Sequence, residues 1–381
     1  MRSRLPKGIR FLMLVIFCLN LSICKVNSAL RCEHCTNSEV EFLSNDKMLY
    51  HCIGDALFLT ETARISCDSA VWLNGIYVRL NGNVRIDDEE YYLAADSTYF
   101  DIERNVMIAR GEVVELWSYQ DSIYTVGNHV IFDRANQYLF MDDRPLLYLK
   151  YPDTANMIEV LADTIEYTSD SVLNVANAFG NVVISSKEFS SASGNAIMDV
   201  TAGQLELIDN PSAQRGNSDI SGDSIRVSYE DDLIRSIVVI DSARGNFQEP
   251  VDSLETEFDE SILAGQRINM LFENGLMTEI ICTGQAYSWY YPSPRGGSEL
   301  HENSVSGDSI RFQIDNKKLE SIDVTGGAIG TYVSGRVPTR DTLVVSKSDS
   351  VNYEAKYIHY RMQDSLIVLK EAAGVTSGDV S

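Results

Sequence analysis

The sequence predicts an all-β protein: an elongated, repeat-built β-jellyroll with antiparallel strands in two facing sheets. Three observations predict it. A short phrase recurs in register nine times, in most copies with a polar anchor followed by apolar residues at alternate positions. Each copy leads into a second apolar segment that often carries a glycine. Beyond the N-terminal stretch, no long segment has the 3.6-residue apolar period of a helix. With 44% hydrophobic residues among 381, the chain has apolar surface enough to bury a core.

Residues 1–29 read as a cleaved secretory signal. Arg2, Arg4, Lys7 and Arg10 form a basic leader, Phe11–Cys24 is almost wholly apolar, and the small Ser28 and Ala29 follow. An apolar run of about 14 residues is too short to span a bilayer comfortably. LSIC at Leu21–Cys24 has the outline of a lipoprotein site, but Ile23 is too large beside the cysteine. Removing the segment's five basic residues takes the net charge from −24 to −29. Such a chain repels phosphate backbones and anionic membrane faces, which excludes a nucleic-acid partner.

Residues 30–53 form a cysteine-containing segment. Cys32-Glu-His-Cys35 has the outline of half a zinc site or of a redox pair. It lacks the second pair of a zinc ribbon, so no metal site is assigned. In an exported chain Cys32, Cys35, Cys52 and Cys67 are disulfide candidates, the expected clip lying near the mature N-terminus.

The repeat follows. SGDSIR occurs at Ser221–Arg226 and again at Ser306–Arg311, and weaker copies keep its register. The anchors are Asp68, Asp96, Asn128, Asp163, Asn195, Asp223, Gln266, Asp308 and Lys356, spaced by 28, 32, 35, 32, 28, 43, 42 and 48 residues. Uneven spacing places the differences in loops. The small residue and short polar anchor predict a self-bonded tight turn. An alternating strand then puts positions two and four past the anchor on one face, as with Ile225 and Val227, Ile310 and Phe312, Ile268 and Met270, and Val130 and Phe132. Intervening positions such as Ile131, Glu166, Arg226 and Arg311 fall on the other face. Asp199 breaks the pattern in the fifth copy. The glycine segments (Leu80–Ile86, Ala109–Leu116, Ala178–Ser185, Cys282–Trp289 and Thr325–Tyr332) predict backbone corners with positive φ. One such hairpin cannot bury its apolar face alone, so stacked neighbours must close the core. Residues 54–215 and 216–381 are expected to form two jellyroll portions. In the second, TSGDVS at Thr376–Ser381 reads as a tenth anchor whose strand has barely begun, expected either of a fragment of a longer array or of a chain that ends on an open strand edge.

The run AADSTYFDIERNVMIARGEVVE, followed by LADTIEYTSDSVLNVANAFGNVVIS, resembles the OstA-like family of lipopolysaccharide transport proteins (LptA, the LptD N-terminal domain and LptC). The resemblance extends from about Gly54 to the end of the chain. It implies a periplasmic jellyroll, associated with the outer membrane, that shields acyl chains in an apolar groove. It also implies edge-to-edge pairing with other jellyrolls of a bridge, no catalysis and no cofactor. Groove candidates are then Phe100, Val130, Phe132, Ile165, Tyr167, Ile197, Ile225, Val227, Met270, Ile310 and Phe312. The competing reading is a β-solenoid surface or scaffold protein, in which these residues only pack against the opposite sheet.

Enzyme signatures are absent: the sequence has no GxSxG, Walker A or HExxH motif, and five scattered histidines. Two insertions stand apart. Glu249–Glu260 carries six carboxylates without the spacing of a calcium loop, and Ser288–Ser298 sets aromatics beside proline and glycine as a partner-contact loop or a rigid turn.

Overall fold

In the computed structural model the described residues are 31–380, apart from 44–46, 60–61, 74–75, 120–121, 151, 154–156, 170–173, 188, 231–232, 251–257, 294–298, 317, 337–347 and 362–365. The signal segment lies outside them, as do most of the acidic insertion and the glycine-rich end of the aromatic one. The described residues form antiparallel strands joined by turns, with no helix among them. They divide into two compact units. One comprises the residues up to Lys187 with Ile197–Ala202, and the other Glu188–Ala196 with the residues from Gly203 onward. This division lies upstream of the 215/216 boundary expected from the repeats.

Each anchor marks a corner, but not the self-bonded turn its residue type predicts. Seven of the nine sit inside a strand, as Asp68 does in Arg64–Leu73, Asp308 in Glu299–Asp315 and Lys356 in Ser348–Arg361. Asp163 and Asp223 sit at bends. What the anchor bonds is the next strand, 14–18 residues further on. There, two consecutive residues take left-handed backbone: Gly82-Asn83 opposite Asp68, Gly180-Asn181 opposite Asp163, Gly284-Gln285 opposite Gln266 and Gly326-Gly327 opposite Asp308. The Asn83 amide donates to both Asp68 carboxylate oxygens at 3.2 and 3.1 Å, and the Asn181 amide to Asp163 at 2.8 Å. The Asp163 N–H donates to the Gly180 carbonyl at 2.9 Å.

At three corners whose left-handed pair lacks glycine, the chemistry inverts. Asn128 donates to Asp143 at 3.0 Å, Asn195 donates to Asp209, and the Lys356 ammonium donates to Glu371 at 3.1 Å. At the second corner the Glu112 N–H donates to Asp96 at 2.8 Å, and residues 111–113 bulge against Asn128. Each corner breaks the ladder register in the manner of a β-bulge, typically two residues against three or one against two. Bulges bend strands. The same step shifts the inward parity, so the residues just before the anchor and two after it both face in. The residue before must be small because the neighbouring strand fills its space. A Cβ on Gly265 would meet Cys282 Sγ at 2.5 Å, on Gly307 Val324 Cγ1 at 2.8 Å, and on Gly222 Val239 Cγ1 at 2.6 Å.

In each unit the bent strands form two layers that pack face to face. In the first unit, Trp72 lies on the half of its strand after the corner and Phe58 on the half of its own strand beyond the Gly54-Asp55 bulge. Their rings meet edge-on at 5.4 Å, while Trp72 stacks on its ladder neighbour Tyr50 at 4.8 Å. The Thr125 hydroxyl likewise crosses to Met141 Sδ at 2.7 Å. In the second unit, Leu207, Ile225, Val239, Ile268, Cys282, Ile310, Val324 and Ile358 are consecutive ladder partners, each 0% exposed. Facing them, the inward positions next to the corners are small: Ala243, Gly265, Ala286, Gly307, Ala328 and Ala355. Large against small is the interdigitation that native packing density requires. Outward faces carry cross-strand ion pairs, Arg226 with Glu206 at 2.9 Å and Arg311 with Glu279 at 3.2 Å.

The two ends of the array differ from expectation. The cysteine segment is part of the sheet: Arg31–His34 and Asn37–Phe42 pair with the two halves of Met48–Leu59. Between them lies a further corner, where the Thr36 N–H donates to the Gly54 carbonyl at 2.9 Å and Gly54-Asp55 is the left-handed pair. At the other end TSGDV is no tenth anchor. It runs as part of the strand Gly374–Val380, Gly378 pairing with Ser350, after the corner formed by Lys356 and Glu371-Ala372.

The corner geometry predicts a difference between two glycines. Gly216→Ala meets no atom within 4 Å and bears only the left-handed backbone, about 1–2 kcal/mol. Gly180→Ala must also displace Asp163 from its charge-assisted bond, roughly 2 kcal/mol more. Urea titration of the two variants measures the difference; equal midpoints would refute the role given to the corner.

Candidate functional site

Local backbone positions most of the expected groove residues as the alternation requires. Val130, Ile165, Ile225 and Ile310, two past their anchors, are wholly buried, while Tyr167, Val227, Met270 and Phe312, four past, are buried with slightly more exposure. Phe100 and Phe132 are half-buried. In every copy that follows the pattern, the position nearer the corner is the drier one. The layers are thus tightest beside the corners and part towards the strand ends, a wedge in cross-section. Ile131 and Glu166, expected outside, are half-buried.

Ile197 does not belong to this face. It is 41% exposed, while its neighbours Ala196 and Met198 are buried. In this copy the inward residues are one and three past Asn195. The left-handed pair opposite is Asp209-Asn210, and the N–H that donates to the Asp209 carbonyl, at 3.1 Å, comes from Gly194, one residue before the anchor. The corner is displaced by a residue, and a one-residue slip turns every following side chain over. Asp199, which broke the sequence pattern, accordingly turns outward to cap the next turn, accepting from the Ala202 N–H at 2.8 Å.

Where the layers part in the second unit, they leave a half-open apolar cavity of about 130 Å³. Val227, Ile234, Ile237, Met270, Phe272 and Met277 line it from one layer, and Ala213, Ile220 and Phe247 from the other, with Phe189 beside them. Two of these, Val227 and Met270, are among the groove residues read from the sequence. The remainder lie on strand segments outside the repeat phrase, where only their apolar alternation signals them. Arg215 closes the rim: its guanidinium stands 5.4 Å over the Phe272 ring and donates to the Gly275 carbonyl at 3.2 Å. Tyr229, near Phe189 at 6.3 Å between ring centroids, has its phenol pushed strongly up by burial.

Of the four cysteines expected to pair, the structure brings three together. Cys32 Sγ lies 3.6 Å from both Cys35 Sγ and Cys52 Sγ, whereas Cys67 stands outside the group. All are free thiols. Burial pushes the Cys52 thiol well up and the Cys67 thiol up to about 11.

Fold and interior define a class: a repeat-built antiparallel β-sandwich, kinked at regular corners, with an apolar wedge between its layers. No model of a protein family matches the chain, and no curated protein does. Among solved structures it is similar to that of LptH from Pseudomonas aeruginosa, the LptA-homologous periplasmic component of the lipopolysaccharide transport device. The identity is 13% and the TM-score 0.28, over 36% of this chain and 82% of that one. A likeness of that size carries no functional weight, and the fold stands on the strands and corners above.

The wedge predicts graded costs. Ile310→Ala in the closed row should destabilise by about 2–5 kcal/mol. Ile197→Ser should stay within about 0.5 kcal/mol. Chemical denaturation of both variants tests the assignment, and a large loss at Ile197 would contradict its outward placement.

Proposed function

We propose that the protein binds lipopolysaccharide, or an amphiphile of that kind, by its acyl chains between the two layers of the sandwich. It would act without catalysis or cofactor, as a segment of a periplasmic route to the outer membrane. The observation that carries this reading is the apolar cavity at the parted ends of the layers, lined by Val227, Met270, Phe247 and Met277. Its size is close to the roughly 150 Å³ of an apolar cavity that stays dry and takes a hydrocarbon guest. Each methylene buried there contributes about 0.8 kcal/mol. Arg215 sets a cation at the rim, where an anionic headgroup meets an otherwise acidic protein.

The strands Leu366–Lys370 and Gly374–Val380 each pair on one side only among the described residues, with Val375 62% exposed. Such edges suit strand addition by another jellyroll.

One observation favours the scaffold reading instead: the row from Leu207 to Ile358 is closed by direct packing and offers no room near the corners. Photo-crosslinking separates the two. A photoreactive residue at Phe247 or Met277 should capture lipopolysaccharide in cells, and one at the outward Ile329 should not. Capture from Ile329 alone, or a gently purified chain free of amphiphile by native mass spectrometry, would establish the scaffold.

A further inference from the structure

The three clustered thiols come from two separate segments. Cys32 lies on the strand Arg31–His34 and Cys35 follows it at the first corner. Cys52 comes from the strand Met48–Leu59, two residues ahead of Gly54. The corner bond from the Thr36 N–H to the Gly54 carbonyl, at 2.9 Å, clamps these segments together. The corner therefore brings the three cysteines side by side. All three Sγ atoms lie within 4.8 Å of one another.

Four thiolates around zinc at about 2.3 Å have sulfurs about 3.8 Å apart, the edge of the tetrahedron. The two closest separations here, 3.6 Å each, match that edge. A single disulfide uses only two of the three sulfurs and leaves the third as an unused thiol. The burial grades suit a metal: Cys52 is 2% exposed and anchors the site from inside, Cys35 is half-buried, and Cys32 faces solvent. We propose that Cys32, Cys35 and Cys52 form a zinc site of three thiolates, with the fourth position open to solvent. Cys67 sits one strand further on, opposite Ala56, and is an internal control.

The test is metal titration of the reduced full chain, with Co²⁺ as the coloured probe and Zn²⁺ as competitor. One Co²⁺ per chain should bind with thiolate-to-cobalt charge-transfer absorption, and Zn²⁺ should displace it and raise the thermal midpoint. Cys32→Ser and Cys35→Ser, at exposed and half-buried positions that leave the core intact, should each remove the band and weaken Zn²⁺ at least tenfold. Cys67→Ser should keep both. The proposal is overturned if the wild-type chain shows no such band, or if the band survives Cys32→Ser and Cys35→Ser. A chain isolated from the oxidising compartment with Cys32 bonded to Cys52 and no zinc overturns it equally.

Discussion

The structure depends on one recurring interaction: at most corners a polar side chain faces two left-handed residues in the strand beside it. Left-handed backbone is costly for ordinary residues and nearly free for glycine. The capping side chain removes part of that cost by accepting from, or donating to, the pair. Because each capped pair lies beside the next anchor, the bends align across neighbouring strands in each unit. A sheet bent at one height folds onto itself, which is how a chain with no helix among its described residues obtains a second layer to cover its apolar face. The complementarity is chemical and local. At Asp68 and Asp163 the anchor faces Gly-Asn, at Asn128 and Asn195 it faces Asp, and at Lys356 it faces Glu, so at these corners the partner rather than a self-bonded turn explains the anchor type.

From the bend follows the shape of the interior. Just beside it the two layers are close, and in the second unit one side is alanine or glycine while the other is a fully buried apolar row from Leu207 to Ile358. Further out the layers separate, and larger side chains such as Trp72, Phe132 and Phe272 occupy the space. The same geometry that closes the fold at the corner leaves it loose at the strand ends. Under the proposed function, an apolar guest at the wide end would leave undisturbed the row that holds the sandwich together.

Much of this was legible in the sequence. The anchors, the small residue before them and the inward positions at two and four could be read because they lie within seven residues of one another. The glycine corners were legible one at a time, but their pairing with anchors was not, since the partners are 14–18 residues apart and differ in type. Ile197 was misplaced because alternation was counted from Asn195, whereas the corner bond begins one residue earlier. TSGDV carries the phrase but lacks a facing left-handed pair, so it runs straight. The corner at Thr36 was invisible because threonine matches no other anchor. Cys52 could not be joined to the Cys32–Cys35 pair without knowing that the corner folds its strand back beside them.

That first corner has a weaker side-chain cap than the Asp68 and Asp163 corners. The Thr36 hydroxyl reaches the Gly54 carbonyl only at 3.4 Å, where other corners have carboxylate–amide bonds of 2.8–3.2 Å. It also serves the strands Arg31–His34 and Asn37–Phe42, which among the described residues pair only with Met48–Leu59. Three thiols stand at this weakly capped position, on both sides of the bend. An ion bound by all three would join the strand before the corner, the corner itself and the strand it caps. It would thus supply at the edge of the sheet the cross-strand tie that Asp and Asn supply inside it. The corner is one structural problem, fastening a left-handed pair to its neighbour, and at the first corner thiolate chemistry is placed to solve it.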